Sequence, residues 1–569
     1  MANLQSVWRS FNHCFLSNRP WQSLSGCAKA GLLLLTVTAM LLLANSAVNA
    51  QESAPSLTVQ DLTLRTVISG LKTPITMAFL GSNDFFLLEK DTGKVLRVTN
   101  GAVQNTVLDL GVNFGSERGL LGIALHPDFP TNPRVYLFWT CRTSVSPPQP
   151  FFPQELVCLD RDIILKSGHP EGERQISLSG DDTGNLLQTP LLGNRVDSFL
   201  WNGSTLTFER NLIFLLSFQN DGAPTPPNQG DESQPARGNH DGGVLAFGPD
   251  RKLYVQFGDA GRRGQLQNLP SGPTATGLGA TVADDQFGGP LPDFAHFTGV
   301  ILRLNDDGTA PVDNPFFEYG RSVGGQVGYN LRRVWAYGVR NGFGLAFDPV
   351  SGNLWDQENG EDAFDEINRI ERGMNSGWIQ IIGPAERVSQ YKAIETTSLH
   401  HEDFPNLQQF RWGPERIADT PQEALARLFV LPGSVYRDPE FSWKHVLAPA
   451  GIGFIGTRAL GVDYFGDLLV GFAVPEPLGG PLFRFKLSSD RKKFSFSDSR
   501  LQDLVADNAT FHDMGESESL LIGKDFGVVS DIKTSPTGGV YVVSISKGAV
   551  YELTALGTGV KSLDREPQR

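Results

Sequence analysis

A histidine in a glycine turn, Asn239-His240-Asp241-Gly242-Gly243, leads into an apolar stretch at 245–247, a Gly248-Pro249-Asp250 turn and an apolar-aromatic stretch that ends at Asp259. Imidazole is the side chain suited to taking a proton near neutral pH, and a carboxylate one hairpin away can hold its tautomer. His240 and Asp259 are therefore a candidate general base and its orienting partner. The run His400-His401-Glu402-Asp403 has metal-friendly residue types, but their adjacent spacing in a loop suits no coordination shell. No GxSxG, Walker A, HExxH or CxxC motif occurs.

The elements that must position His240 and Asp259 repeat along the chain. The phrase is a short apolar strand, a turn rich in Gly, Pro, Asp or Asn, then a strand of β-branched and aromatic residues. Six copies occur, at 76–88, 122–138, 245–258, 344–355, 451–471 and 532–543. Third strands are predicted at 93–98, 299–304 and 548–553. Units this small cannot bury a core alone, so they predict an all-β radial array, a six-bladed β-propeller with long loop insertions. The insertions at 141–239 and 264–295 have loop composition. In the third, 380–440, Thr420-Pro421-Gln422-Glu423 is a capping box with proline at the first helical position, which predicts a helix from there.

The chain has 569 residues, 62 glycines and a formal net charge of -14. That acidity argues against nucleic acid as a partner. Residues 1–50 read as a secretory signal peptide: Arg9, Arg19 and Lys29 are the charges, 30–43 is apolar, and Val48-Asn49-Ala50 offers a cleavage point. The remainder, 51–569, is expected to be one propeller domain with its core at about 60–555. It is expected to be periplasmic or secreted, with no membrane span after signal cleavage. Cys14 and Cys27 lie in the leader, which leaves Cys141 and Cys158 as an expected disulfide pair in one insertion.

The chain resembles the glucose/sorbosone dehydrogenases, soluble quinoproteins built as six-bladed propellers that use pyrroloquinoline quinone (PQQ) with calcium. The resemblance runs from about Leu71 to Leu553. It rests on the motif from Glu117-Arg118-Gly119-Leu120-Leu121-Gly122 to Phe129, on the His240 segment, and on Gly299 through Asn314-Pro315-Phe316. It rests further on Ala336-Tyr337-Gly338-Val339-Arg340-Asn341-Gly342, Asp365-Glu366-Ile367-Asn368 and Gly373-Met374-Asn375-Ser376-Gly377-Trp378. It implies oxidation of a sugar hemiacetal or related alcohol by hydride transfer to PQQ, with electrons passed to an external acceptor. His240 would be the base and Asp259 its partner. Arg340 and Asn341 would face the quinone, and Glu117 would line the substrate pocket with His240. Calcium would sit on backbone carbonyls at Gly360 and Glu361, where hard oxygen donors suit it; Glu361 replaces the proline common there.

Two departures accompany the resemblance. Val528-Val529-Ser530-Asp531-Ile532 stands where the family carries Arg-x-Arg-Asp-Val, and Ala473-Val474-Pro475 holds no lysine. Lys524, just upstream, is the candidate replacement contact to the cofactor carboxylates. The alternative function is a quinoprotein-like propeller without cofactor that binds a glycan or a protein on its loop face. A calcium-dependent propeller hydrolase is a third reading, for which no converging carboxylate set is visible.

Overall fold

The computed structural model describes residues 53–142, 192–217, 238–260, 298–397, 417–474 and 479–557. The chain divides into two compact units, Met1–Ala54 and Pro55–Arg569. The expected signal peptide, the run 400–403 and Cys158 lie outside the described residues. Cys141 is disulfide-bonded. No helix among the described residues is long and apolar enough to cross a membrane.

The larger unit is an all-β propeller, and its described strands form six sheets. Sheet 1 is the meander Pro74–Gly81, Asp84–Glu89, Lys94–Thr99 and Ala102–Asp109. Sheet 2 runs Leu120–Leu125, Arg134–Thr140, Asn194–Trp201 and Leu206–Leu215. Sheet 3 begins Leu245–Phe247, Leu253–Phe257, Val300–Leu304 and Val334–Tyr337, and adds two short parallel strands. Sheet 4 begins Gly344–Phe347, Leu354–Glu358 and Ala363–Ile370, and sheet 5 begins Pro449–Phe454, Leu468–Phe472 and Leu482–Phe485. Sheet 6 joins Val529–Thr534, Val540–Ser544 and Ala549–Ala555 to Leu62–Ser69, so strands from both ends of the unit share it.

The first strands of the six sheets touch in cyclic order, 1 to 6 and back to 1. They approach closely: a Cβ on Gly122 would lie 2.1 Å from the Gly243 carbonyl of the next sheet. The glycine of the repeated phrase is thus a packing requirement, because no side chain fits between neighbouring backbones there. Away from the centre the sheets meet through aromatic rings. Between sheets 4 and 5, Trp443 packs edge-on against Phe472 at 5.4 Å and Phe485 at 6.0 Å, all fully buried.

Two expectations need correction. The stretch read as the insertion 141–239 contains the third and fourth strands of sheet 2. Their period-two signal is broken by a buried ion pair, Arg195 Nε to Asp197 Oδ2 at 2.9 Å with both side chains fully buried. The insertion 380–440 holds a second helix, Val388–Thr397, besides Pro421–Arg427. At the latter, Thr420 Oγ1 accepts from Glu423 N as a capping box requires, while Glu423 Oε2 accepts from Asp419 N, one residue before the cap.

Candidate active site

In each sheet the first two strands pair antiparallel, so the start of the first and the end of the second lie at one end. Leu245 pairs with Val255, and Gly344 with Gln357. His240, Asp259, Arg340, Asn341 and the loop at Gly360 are thereby gathered at the same end of sheets 3 and 4. The meeting point is Gly258. A Cβ there would lie 2.3 Å from the His240 carbonyl and 3.0 Å from both the Arg340 carbonyl and Asn341 Oδ1. Asp259 N donates to the Arg340 carbonyl at 2.8 Å, which fixes the two loops together.

Asp259 is fully buried and its carboxylate is used on both oxygens. Oδ1 faces His240 Nδ1 at 2.6 Å, and Oδ2 accepts from the indole Nε1 of Trp378 at 2.9 Å. A carboxylate at Nδ1 selects the tautomer with its proton there and leaves Nε2 as the basic nitrogen. The backbone of His240 is in the left-handed region, φ 57°, and its N–H donates to Glu117 Oε2 at 2.7 Å. The same Glu117 oxygen accepts from Asn341 Nδ2 at 3.2 Å. One carboxylate from sheet 2 therefore holds the histidine and the asparagine in register.

Arg340 is buried, with Nη1 donating to the Asn359 carbonyl at 2.7 Å and Nη2 paired with Glu361. Its guanidinium lies over the Trp378 ring, 5.3 Å from the centroid. Burial works against the charge, but Glu361 and Asp259 outweigh it and raise the Arg340 pKa. The residue stays cationic. Its own N–H donates to Glu358 Oε2 at 2.8 Å.

Behind this layer, Asp356, Glu358 and Glu366 are all buried on sheet 4. Glu358 Oε1 accepts from Asn368 at 3.1 Å and Ser376 at 2.9 Å, and Asn368 also donates to Glu366. Burial pushes Glu358 up to about 7, and holds Asp356 and Glu366 well above the usual carboxylate range. Next to the histidine, Asp241 Oδ1 accepts from Asn194 Nδ2 at 2.7 Å, and burial pushes its carboxyl up to about 7 against the attraction of Arg118.

A cavity of about 220 Å³ opens at the centre, walled by Ile75, Ile123, Val244, Phe343, Val528 and Ile545. Glu117 also lines it, so the carboxylate that holds His240 and Asn341 is part of its wall. Ala473 and Ser530 line it as well, where sequence reading expected no base. Lysines do reach it, but they are Lys90 and Lys533. Lys90 Nζ donates to Asp91 and to the Ser116 carbonyl at 3.0 Å, and Lys533 Nζ lies 3.3 Å from Asp531.

Lys524 requires correction as a cofactor contact. It is exposed at the end of Leu521–Lys524, where it pairs with Ser56 on the outer side of sheet 5, away from the residues that wall the cavity. Nearness in sequence to the Val528 stretch misled the assignment, because the chain between them crosses from an outer strand to an inner one. Gly360 and Glu361 are where expected, in the loop after the second strand of sheet 4. Gly360 N donates to Asp365 Oδ1 at 2.8 Å, and the Glu361 side chain is committed to Arg340. Among the described residues, no group of three or more His, Cys, Asp or Glu side chains is arranged to hold a metal ion. Trp378 was visible as part of a motif, but its bond to Asp259 spans 119 residues and left no local signal.

The sequence profile described as Glucose / Sorbosone dehydrogenase matches residues 71–147 and 230–407, which include His240, Asp259, Arg340 and Trp378. The chain belongs to the glucose/sorbosone dehydrogenase family. Quinoprotein glucose dehydrogenase B of Acinetobacter calcoaceticus is 27% identical over 480 residues, which cover 78% of this chain and 82% of that protein. Aldose sugar dehydrogenase YliI of Escherichia coli is 33% identical over 141 residues, 25% of this chain and 29% of that protein. Among solved structures, the soluble aldose sugar dehydrogenase of Escherichia coli in its apo-form superposes with a TM-score of 0.51 at 18% identity, covering 87% of this chain and 99% of that one. An oxidoreductase titled glucose dehydrogenase from Thermus thermophilus gives 0.50 at 22%, covering 86% and 99%. The two structures bear on the fold of this family member; the sequence matches bear on its kinship.

Proposed function

We propose that this chain is an exported oxidoreductase that oxidises a sugar hemiacetal or related alcohol, with PQQ as the hydride acceptor and an external acceptor completing turnover. The observation that carries the reading is the His240–Asp259 pair set against Arg340 and Asn341 at one end of the central cavity. Six sheets whose first strands meet in cyclic order support a six-bladed scaffold around it.

The residues fit the cofactor's ring. A fused planar quinone needs flat apolar walls and polar groups at its edge, and the cavity offers Phe343, Val528 and Ile545 with Lys90, Glu117 and Ser530. Arg340 and Asn341 would hold the quinone edge, and the Gly360 and Glu361 carbonyls would hold calcium. When bound, PQQ supplies a two-electron acceptor for the hydride that leaves the sugar carbon. Neutral His240 takes the hydroxyl proton at Nε2 as the C–H bond breaks. Asp259 stabilises the imidazolium that results, and Arg340 supplies a fixed positive charge in a site shielded from water.

One observation favours a second reading, a cofactor-free binding module. The wall at Ala473, Val528 and Ser530 carries no cation for a carboxylated ligand. The two readings separate in a single titration of the mature protein with PQQ and calcium, followed by cofactor absorbance and by dye reduction with a panel of aldoses. Saturable binding with sugar-dependent reduction, lost in His240→Ala, is the expected result. Absence of binding at high PQQ concentration would overturn the dehydrogenase reading and leave the binding module.

A further inference from the structure

The pairing of His240 with Asp259 uses one carboxylate oxygen, and what occupies the other decides how strongly the carboxylate pulls on the imidazole. That other oxygen belongs to Trp378, whose indole N–H reaches Asp259 Oδ2 at 2.9 Å from a side chain only 1% exposed. The face of the same ring carries the Arg340 guanidinium at 5.3 Å. Trp378 is itself fixed by its backbone, whose N–H donates to the Gly338 carbonyl at 3.0 Å, two residues before Arg340. A single buried side chain thus touches the partner of the base and the cation of the site at once.

We propose that Trp378 is a positioning residue that fixes Asp259 and Arg340 in one frame and, by hydrogen-bonding the far oxygen of Asp259, moderates that carboxylate's hold on His240. The proposal rests on the dehydrogenase reading only for its catalytic consequence. The chemistry is general: a donor to one carboxylate oxygen draws negative charge from the other, so the imidazolium opposite it is stabilised less. Without that donor the histidine would hold its proton more tightly and be a poorer proton acceptor at neutral pH. The aromatic face adds a cation–π contact that keeps the guanidinium from folding toward Asp259.

The test uses the whole mature chain with no sugar or cofactor added. In the wild type, the Trp378 indole N–H resonance and the His240 ring resonances are followed by NMR against pH; sharing one carboxylate, they are expected to titrate with a common midpoint. Trp378→Phe keeps an aromatic ring under Arg340 and removes the N–H, and the His240 midpoint is expected to move upward by about half a unit or more. Trp378→His, which can restore a ring N–H, is expected to return it part of the way. Unlinked titrations in the wild type would overturn the proposal, and so would an unmoved midpoint in a folded Trp378→Phe protein. The wild-type measurement needs no variant to fold. Sugar-dependent dye reduction, measured separately, decides the dehydrogenase reading, so the failure of one does not imitate the failure of the other.

Discussion

Asp241 gives the sharpest quantitative test of how the site is built. It is fully buried, accepts from Asn194 Nδ2, and burial lifts its carboxyl from 3.8 to about 7. The folded state therefore binds a proton that the unfolded state has released over that interval. Stability from the protonated group is complete below the unfolded value and is lost as pH rises through the folded one. Three units at 1.36 kcal/mol each amount to about 4 kcal/mol, of which roughly 2 to 3 kcal/mol falls between pH 5 and 8. Asp241→Asn retains a carbonyl for Asn194 and does not titrate. Urea unfolding of both proteins at pH 5 and pH 8 is the assay. The variant is expected to lose less stability than the wild type on going to pH 8, by that amount. Parallel losses in the two proteins would refute the argument that burial dominates at this carboxyl.

Gly258→Ala places a methyl against the His240 and Arg340 carbonyls; sugar oxidation is expected to be lost, with a drop of about 1–3 kcal/mol or more in stability, read by activity and thermal melting. Glu117→Ala removes the shared acceptor of His240 N and Asn341 Nδ2, and should cost about 1–3 kcal/mol and most of the activity. Glu117→Gln, which still accepts through its carbonyl, should retain far more on both measurements. Thr420→Ala should destabilise by about 1 kcal/mol in a urea melt and leave activity unchanged, because the cap lies on a helix outside the site.

The repeated phrase was legible because inner strand pairs of a propeller are buried on both faces and separated by short turns. The predicted pairs around 122–138, 245–258 and 344–355 all appear as hairpins, and the third strand at Val300–Leu304 follows as expected. Asn194–Trp201 was illegible because the rule that buried means apolar fails for Arg195 and Asp197, which neutralise each other inside the sheet. At the site, His240 and Asp259 could be joined by reading one hairpin. Their partners could not: Glu117 is 123 residues from His240, and Trp378 is 119 from Asp259. Only the ring of sheets converts such separations into hydrogen bonds. Lys524 failed for the converse reason, since four residues of chain suffice to leave one side of a sheet for the other.

Sheet 6 takes its outer strand, Leu62–Ser69, from the beginning of the unit and its other three from the end, with Leu62 opposite Ala555. This arrangement has a consequence for synthesis on the ribosome. The early strand emerges hundreds of residues before the partner it needs, and its edge stays unpaired until the last hairpin is complete. Any cofactor site that depends on a closed ring is then assembled last, after every sheet that contributes to it. The two ends of the unit also leave from neighbouring strands at the rim of one sheet, on the side away from the axis. A reporter fused at either end would stand beside the other and clear of the central cavity.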